Sequence, residues 1–269
     1  MADPAVRVSG NGPAITWLHG YTMDSRIWES VWPHVPGYRH LGVDLPGHGR
    51  SAPLPASAPM SAWAQAVEDT MTANDSTLLV ALCMGTMVAA KVAIRGRVSL
   101  DRLVLVAPAL VGMDEDLPTA NRFRSLAIRA MRGAGRAELA DLWMRPPAAM
   151  FAGLARYPDR LAALRAVIAD HTWPDLLQFG PAAFRERPQT VAELAAAPVG
   201  GIQVISGGLD MPAHRATALA LAAGVPGGVL DDHPELGHLP LLEDPPAVAA
   251  GLVRFLGAGQ GAPVTLAQA

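Results

Sequence analysis

Five short apolar runs constrain the fold of this chain more than any other feature: Ala14–Leu18 (AITWL), His40–Val43 (HLGV), Leu78–Leu82 (LLVAL), Leu103–Ala107 (LVLVA) and Ile202–Ser206 (IQVIS). A weaker sixth is Gly228–Asp231 (GVLD). Each has the length of a strand. Their apolar character is near-continuous rather than alternating, as in strands buried on both faces of a parallel sheet. Helical patterns lie between them. Ser61 is placed to cap a helix on which Trp63, Ala66, Val67, Thr70 and Met71 share one face. Strand alternating with helix predicts an α/β fold, with a mostly parallel central sheet flanked by helices.

The alternation stops after Ala107. From about Gly112 to Ala197 the pattern is helical and punctuated by Pro146, Pro147, Pro158, Pro174, Pro181 and Pro188. The expected organisation is a core of residues 1–111 and 198–257, a helical lid of residues 112–197 inserted into it, and a loose tail of residues 258–269. Trp143, Met144, Met150, Phe151, Trp173 and Phe179 fall in the insert. Either they line a substrate pocket beneath a lid, or they pack the insert's own small core; for most of them the second reading is expected.

Apolar residues make up 51% of the 269, enough for a substantial core, and charged residues only 17%. The 21 basic and 24 acidic side chains leave a net charge of −3, which excludes nucleic acid as an expected partner. The modest basic cluster from Arg122 to Arg136 (RFRSLAIRAMRGAGR) reads as the solvated face of a helix. A single cysteine excludes an intramolecular disulfide and a Cys-rich metal site, and fits a reducing compartment. The first residues lack the basic-then-apolar pattern of a secretory leader, and no apolar run is long enough to span a membrane. A cytoplasmic protein without metal or cofactor is expected. Nothing in the sequence fixes its oligomeric state.

That cysteine sits in ALCMGT, where the third strand ends and a helix begins. A sharp strand-to-helix turn that exposes a nucleophile needs small residues two before and two after it, because the backbone passes close to itself. Ala81 and Gly85 occupy those positions around Cys83. The helix would aim its N-terminal N–H groups and the positive end of its dipole at the thiol, and Met84 N–H would be an oxyanion donor. The competing reading is a small apolar residue in a buried turn, an ordinary place for cysteine.

Further pieces follow other strands. LHGYTMDSRIW (18–28) permits a turn that aims the Tyr21 N–H as a second oxyanion donor, with His19 structural. VDLPGHGRS (43–51) is a glycine-rich turn in which Asp44 and His48 read as structural. ISGGLDMP (205–212) puts Asp210 just beyond a strand, and LGHLPLLEDP (236–245) puts His238 in a loop before the final helix. A carboxylate after one strand and an imidazole after the next meet at the carboxyl edge of a parallel sheet, beside the thiol. There Asp210 would fix the His238 tautomer and His238 would carry the thiol proton. His233 is the competing base, and Asp231, Asp232, Asp114 and Glu115 are the competing acids.

Taken together and in this order, these motifs resemble the α/β-hydrolase superfamily over roughly residues 5–256, with the insert falling after the sixth strand of that fold. The resemblance implies Cys83, Asp210 and His238 as catalytic residues, Tyr21 and Met84 N–H groups as the oxyanion hole, and no cofactor. Most relatives carry serine at the turn. A thiolate exchanges one thioester for another at little free-energy cost, so cysteine suits acyl transfer, cyclisation or hydrolysis. The expected function is a thioesterase, esterase or acyltransferase. Its substrate would be a small ester or thioester with an apolar acyl or polyketide-like group, free or bound to a carrier protein. The Gly- and Pro-rich composition is like that of a high-GC actinobacterial genome and associates the chain with secondary metabolism. The alternative is a non-covalent lyase or cyclase with His238 and Asp210 as base, for instance eliminating acetate from an acetylated intermediate. A third reading is a ligand-binding protein without catalysis.

Overall fold

The structure, a computed structural model, describes residues 4–113, 117–146, 148–176 and 182–257. Seven strands form one sheet: β1 (Val6–Ser9), β2 (Ala14–Leu18), β3 (Arg39–Val43), β4 (Leu78–Leu82), β5 (Arg102–Val106), β6 (Ile202–Gly207) and β7 (Val229–His233). Their spatial order is β1-β3-β2-β4-β5-β6-β7. Every pairing is parallel except β1 on β3. β1 escapes the sequence reading because it is a four-residue edge strand whose residues are half-buried or exposed, so it lacks an apolar run. The weak sixth run lies in β7, which is longer than expected and is also an edge.

The central strands are apolar throughout because both faces are covered. β2 and β4 are buried at every position. One face presents Trp17, Val80, Val104 and Ile205; the other presents Leu79, Ala81, Leu105 and Val204. The second face is packed by α1 (Met60–Ala73) and α2 (Met84–Arg95). Trp63, Ala66, Val67, Thr70 and Met71 are all buried, as their shared face predicts. Ser61, however, lies inside α1; the cap position is Pro59, which starts the helix through its extended backbone and contributes no side-chain cap.

Between β5 and β6 the described residues form helices α3 (Leu117–Met131), α4 (Arg136–Met144), α5 (Ala149–Ala152), α6 (Pro158–Ala169) and α7 (Val191–Ala195). After β6 come α8 (Pro212–Gly224), then α9 (Pro240–Glu243) and α10 (Pro245–Gly257) beyond β7. The apolar side chains of the insert do not form a separate core. Trp143, Met144, Phe151 and Trp173 are continuous with the sheet face that carries Trp17 and Val104. Of the basic residues from Arg122 to Arg136, Arg124, Arg129, Arg132 and Arg136 are exposed, as a solvated face requires, and Arg122 alone departs from it. Arg122 donates to the Leu142 and Trp143 carbonyls and ties α3 to α4, whereas Arg129 pairs on the surface with Glu138. No described helix is long and apolar enough to cross a membrane. Asp114, Glu115, Phe179 and the 258–269 tail lie outside the described residues.

Candidate active site

In a parallel sheet the loops leaving the carboxyl ends of the strands converge on one edge. Here those loops carry Tyr21 after β2, Cys83 after β4, Asp210 after β6 and His238 after β7. Cys83 joins β4 to α2 with φ 49° and ψ −119°, a backbone geometry that is costly for any residue with a Cβ and is found where a side chain must be presented. Its N–H donates to the Val106 carbonyl at 3.0 Å, and its carbonyl accepts from Thr86 N–H at 2.8 Å. The Thr86 hydroxyl is tied in turn to the backbone of Ala109, which fastens the turn to the loop beyond β5. Gly85 is required by β2: a Cβ there would stand 2.7 Å from the His19 carbonyl oxygen and 2.9 Å from that of Leu18. Cys83 itself is half-buried and its thiol is free.

Two loops close on the cysteine. A Cβ on Gly20 would meet the Cys83 Cβ at 3.4 Å, so the backbone leading to Tyr21 passes directly beside the thiol. Met84 is the first residue of α2, and its N–H therefore has no acceptor within the helix. His19 fixes the Tyr21 loop: Nε2 accepts from Leu45 N–H at 2.9 Å and Nδ1 bonds the Gly20 carbonyl at 2.8 Å. Asp44 is buried and accepts from Ser25 and Arg50 N–H groups, bonds that outweigh burial and hold its pKa below the ordinary value. His48 is buried against His19 and His171. These three residues hold the loops together.

His238 and Asp210 are both buried, and His238 Nδ1 lies 2.7 Å from Asp210 Oδ1. Burial alone would resist protonation of His238. The Asp210 carboxylate and the charge that Cys83 can carry outweigh it and hold the His238 pKa well above 6.5. The same pairing overcomes burial at Asp210 and keeps its pKa below the ordinary value. His238 Nε2 is buried without a hydrogen-bond partner among the described residues. The competing residues sit elsewhere: His233 pairs with Asp231 at 3.2 Å, and Asp232 pairs with Arg215.

Sequence reasoning missed two participants. Glu243, within the quoted LLEDP, is fully buried and accepts from Gly237 N–H at 2.7 Å and Leu239 N–H at 3.0 Å. It clamps the backbone on both sides of His238. A carboxylate ahead of a helix-starting proline reads as surface, so only the packing reveals it. His214, near the start of α8, stacks edge-on against His238 with centroids 4.5 Å apart. Burial and the neighbouring His238 charge lower its pKa to about 4, so it is neutral at neutral pH.

A cavity of about 590 Å³ opens over Cys83, within the range of small-molecule sites. Tyr21, Met87, Leu110, Phe123, Trp143 and Met150 contribute to its wall, and the Tyr21 hydroxyl donates to Asp175 at 2.6 Å. Of the insert residues expected at a pocket, Trp143 and Met150 line this cavity. Met144, Phe151 and Trp173 are instead buried in the apolar core, where Phe151 meets Trp143 edge-on and Trp173 packs against His171 and Tyr21. Phe179 lies outside the described residues.

A family model described as "Alpha/beta hydrolase family" matches residues 17–251. A Mycobacterium tuberculosis protein described only as uncharacterized is 26% identical over 94% of this chain and 77% of its own length. A pimeloyl-[acyl-carrier protein] methyl ester esterase of Nitrosomonas europaea is 31% identical over 40% of this chain and 42% of its own. Among solved structures, a thermophilic esterase from Thermogutta terrifontis superposes with a TM-score of 0.78 at 25% identity, covering 94% of this chain and 93% of that one.

Proposed function

Because the chain belongs to the alpha/beta hydrolase family, we propose that it is a cysteine-dependent acyl enzyme, an esterase, thioesterase or acyltransferase acting on a small apolar acyl substrate. The observation that carries this reading is the buried Asp210–His238 pair, 2.7 Å apart, whose second ring nitrogen is unpartnered beside a thiol at the floor of an apolar cavity. Esterase relatives support an enzyme of this family.

Cys83 gives its proton to His238, and the sulfur attacks the substrate carbonyl. The oxygen of the tetrahedral adduct takes hydrogen bonds from the Tyr21 and Met84 N–H groups. Collapse breaks the bond to the leaving alcohol or thiol, which receives the proton from His238. The result is an acyl thioester on Cys83. His238 then takes a proton from water or another acceptor, whose attack releases the acyl group and restores the thiol. Asp210 holds the ring with Nε2 towards the sulfur throughout. Residues 112–197 act as the lid of a core built from 1–111 and 198–257. Trp143 and Met150 favour an apolar chain beneath that lid, whether the acyl group arrives free or on a carrier protein.

The test is intact-protein mass spectrometry after incubation with p-nitrophenyl esters and acyl-N-acetylcysteamine thioesters, comparing the native chain with Cys83→Ala. An acyl mass on the native chain alone, with product release lost in the variant, is the expected result. Turnover retained in Cys83→Ala without any adduct would replace it with non-covalent base chemistry led by His238.

A further inference from the structure

The thiol has two imidazole neighbours, where the acyl-enzyme chemistry uses one. One ligating atom from each of Cys83, His214 and His238 lies within 4.8 Å of the other two. His214 Nδ1 stands 3.1 Å from the Pro108 carbonyl oxygen and 3.3 Å from that of Ala107. Carbonyl oxygens only accept, so Nδ1 carries the proton and Nε2 carries the lone pair. His238 Nδ1 is held by Asp210, so its buried Nε2 supplies the second lone pair once the proton it shares with Cys83 has left. Each imidazole is thus oriented by an acceptor on its far side, one by backbone carbonyls and one by a carboxylate. This is the outer support that metal-ligating histidines have.

We propose that Cys83, His214 and His238 form a three-ligand site for a borderline-soft divalent cation such as Zn2+, which reversibly blocks the thiol. One sulfur and two imidazole nitrogens are the donor set this cation prefers, and three protein ligands leave a fourth position open to the cavity for water. Tetrahedral coordination places the donors about 3.5 Å apart, so separations of up to 4.8 Å close by about 1 Å, through rotation of the half-buried cysteine side chain and small shifts of the two rings. On binding, a sulfur–metal bond forms and the one proton shared by Cys83 and His238 passes to solvent, so the sulfur coordinates as thiolate and both imidazoles in neutral form. The metal occupies the sulfur and the nitrogen that acylation needs, so the two are mutually exclusive. The site depends on the geometry of the cluster and not on the acyl-enzyme reading.

The experiment is a Co2+ titration of metal-free protein, without substrate, following the thiolate-to-cobalt charge-transfer absorption in the near ultraviolet, with metal content measured by equilibrium dialysis. The expected result is one Co2+ per chain with that band, displaced by Zn2+. Cys83→Ser should abolish the band, and His214→Gln should weaken binding roughly 100-fold. Zn2+ should also protect Cys83 from iodoacetamide in the native chain and not in His214→Gln. Circular dichroism establishes that the variant is folded, and His214→Phe, which also lacks the ligand, serves if it is not. Absence of the band in the native chain, or unchanged affinity without the His214 imidazole, would overturn the site. Acylation of metal-free native protein is scored separately. An adduct without a cobalt band removes only the metal site, and a band without an adduct removes only the acyl enzyme.

Discussion

His40 offers a test of the fold's electrostatics that is independent of the active site. It lies on β3, only 3% exposed, stacked on Trp32 with ring centroids 5.3 Å apart and planes 8° from parallel. Trp17 Nε1–H donates to its Nδ1 at 3.2 Å, and an indole N–H cannot accept in return. A proton on Nδ1 would therefore face a donor in a dry site. Burial lowers the His40 pKa to about 4, partly offset by its hydrogen bond to the Val35 backbone. The unfolded chain takes up a proton as pH falls below 6.5, whereas the native chain resists until about pH 4. More protons are then bound unfolded than folded, so stability falls as pH falls through this window. At 1.36 kcal/mol per pH step, the whole window is worth about 3 kcal/mol, of which about 2 kcal/mol is lost between pH 7 and pH 5. Urea unfolding of the native chain and of His40→Leu at both pH values isolates this contribution. The variant is less stable at pH 7, because the Trp17 N–H loses its acceptor, at a cost of about 1–3 kcal/mol, and the two proteins converge towards pH 5. Its loss of stability on acidification, however, should be smaller than that of the native chain by about 2 kcal/mol. Equal losses in the two proteins would refute the argument that His40 is held neutral by its surroundings.

The remaining predictions concern the site. In Asp210→Asn the carboxylate that overcomes burial is removed, so the His238 pKa falls. The native alkaline limit of acylation lies where the raised His238 pKa loses its proton; in the variant that limit should move to lower pH, and an unmoved limit in a pH profile of adduct formation would contradict the pairing. Glu243→Ala strands two buried N–H groups that flank His238, which should cost about 2–5 kcal/mol in urea unfolding and slow adduct formation more than alkylation of Cys83. Gly85→Ala forces a Cβ against the His19 and Leu18 carbonyls and should destabilise by about 1–3 kcal/mol; a melting temperature equal to the native one would show that β2 yields there.

Much of this molecule was legible because the signals are local. A strand buried on both faces must be apolar at every position, and β2, β4 and the body of β5 and β6 were readable for that reason. β1 was not, because an edge strand answers to one neighbour and to solvent. Ser61 misled because any serine before an apolar stripe reads as a cap, while Pro59 supplies the required extended backbone without a side-chain bond. The loops carrying Cys83, Asp210 and His238 could be located because each follows a strand, and parallel strands deliver their ends to a common edge.

Amino-acid order by itself therefore determined the alternation of strand and helix, the small residues around Cys83, and the succession of thiol, acid and imidazole along the chain. It did not determine which acid or base would meet the thiol. His233 and His238 are five residues apart; His233 ends β7 on the same face as Asp231, while the loop beyond β7 carries His238 to Asp210. Nor could it reveal the buried clamp of Glu243, the turn of Met144, Phe151 and Trp173 into the core, or the meeting of His214 with Cys83 and His238. His214 lies far from Cys83 in sequence, Glu243 sits close to His238 without any motif to mark it, and the roles of these groups are set by burial and by the direction of a lone pair. Both exist only once the sheet has brought its strand ends together.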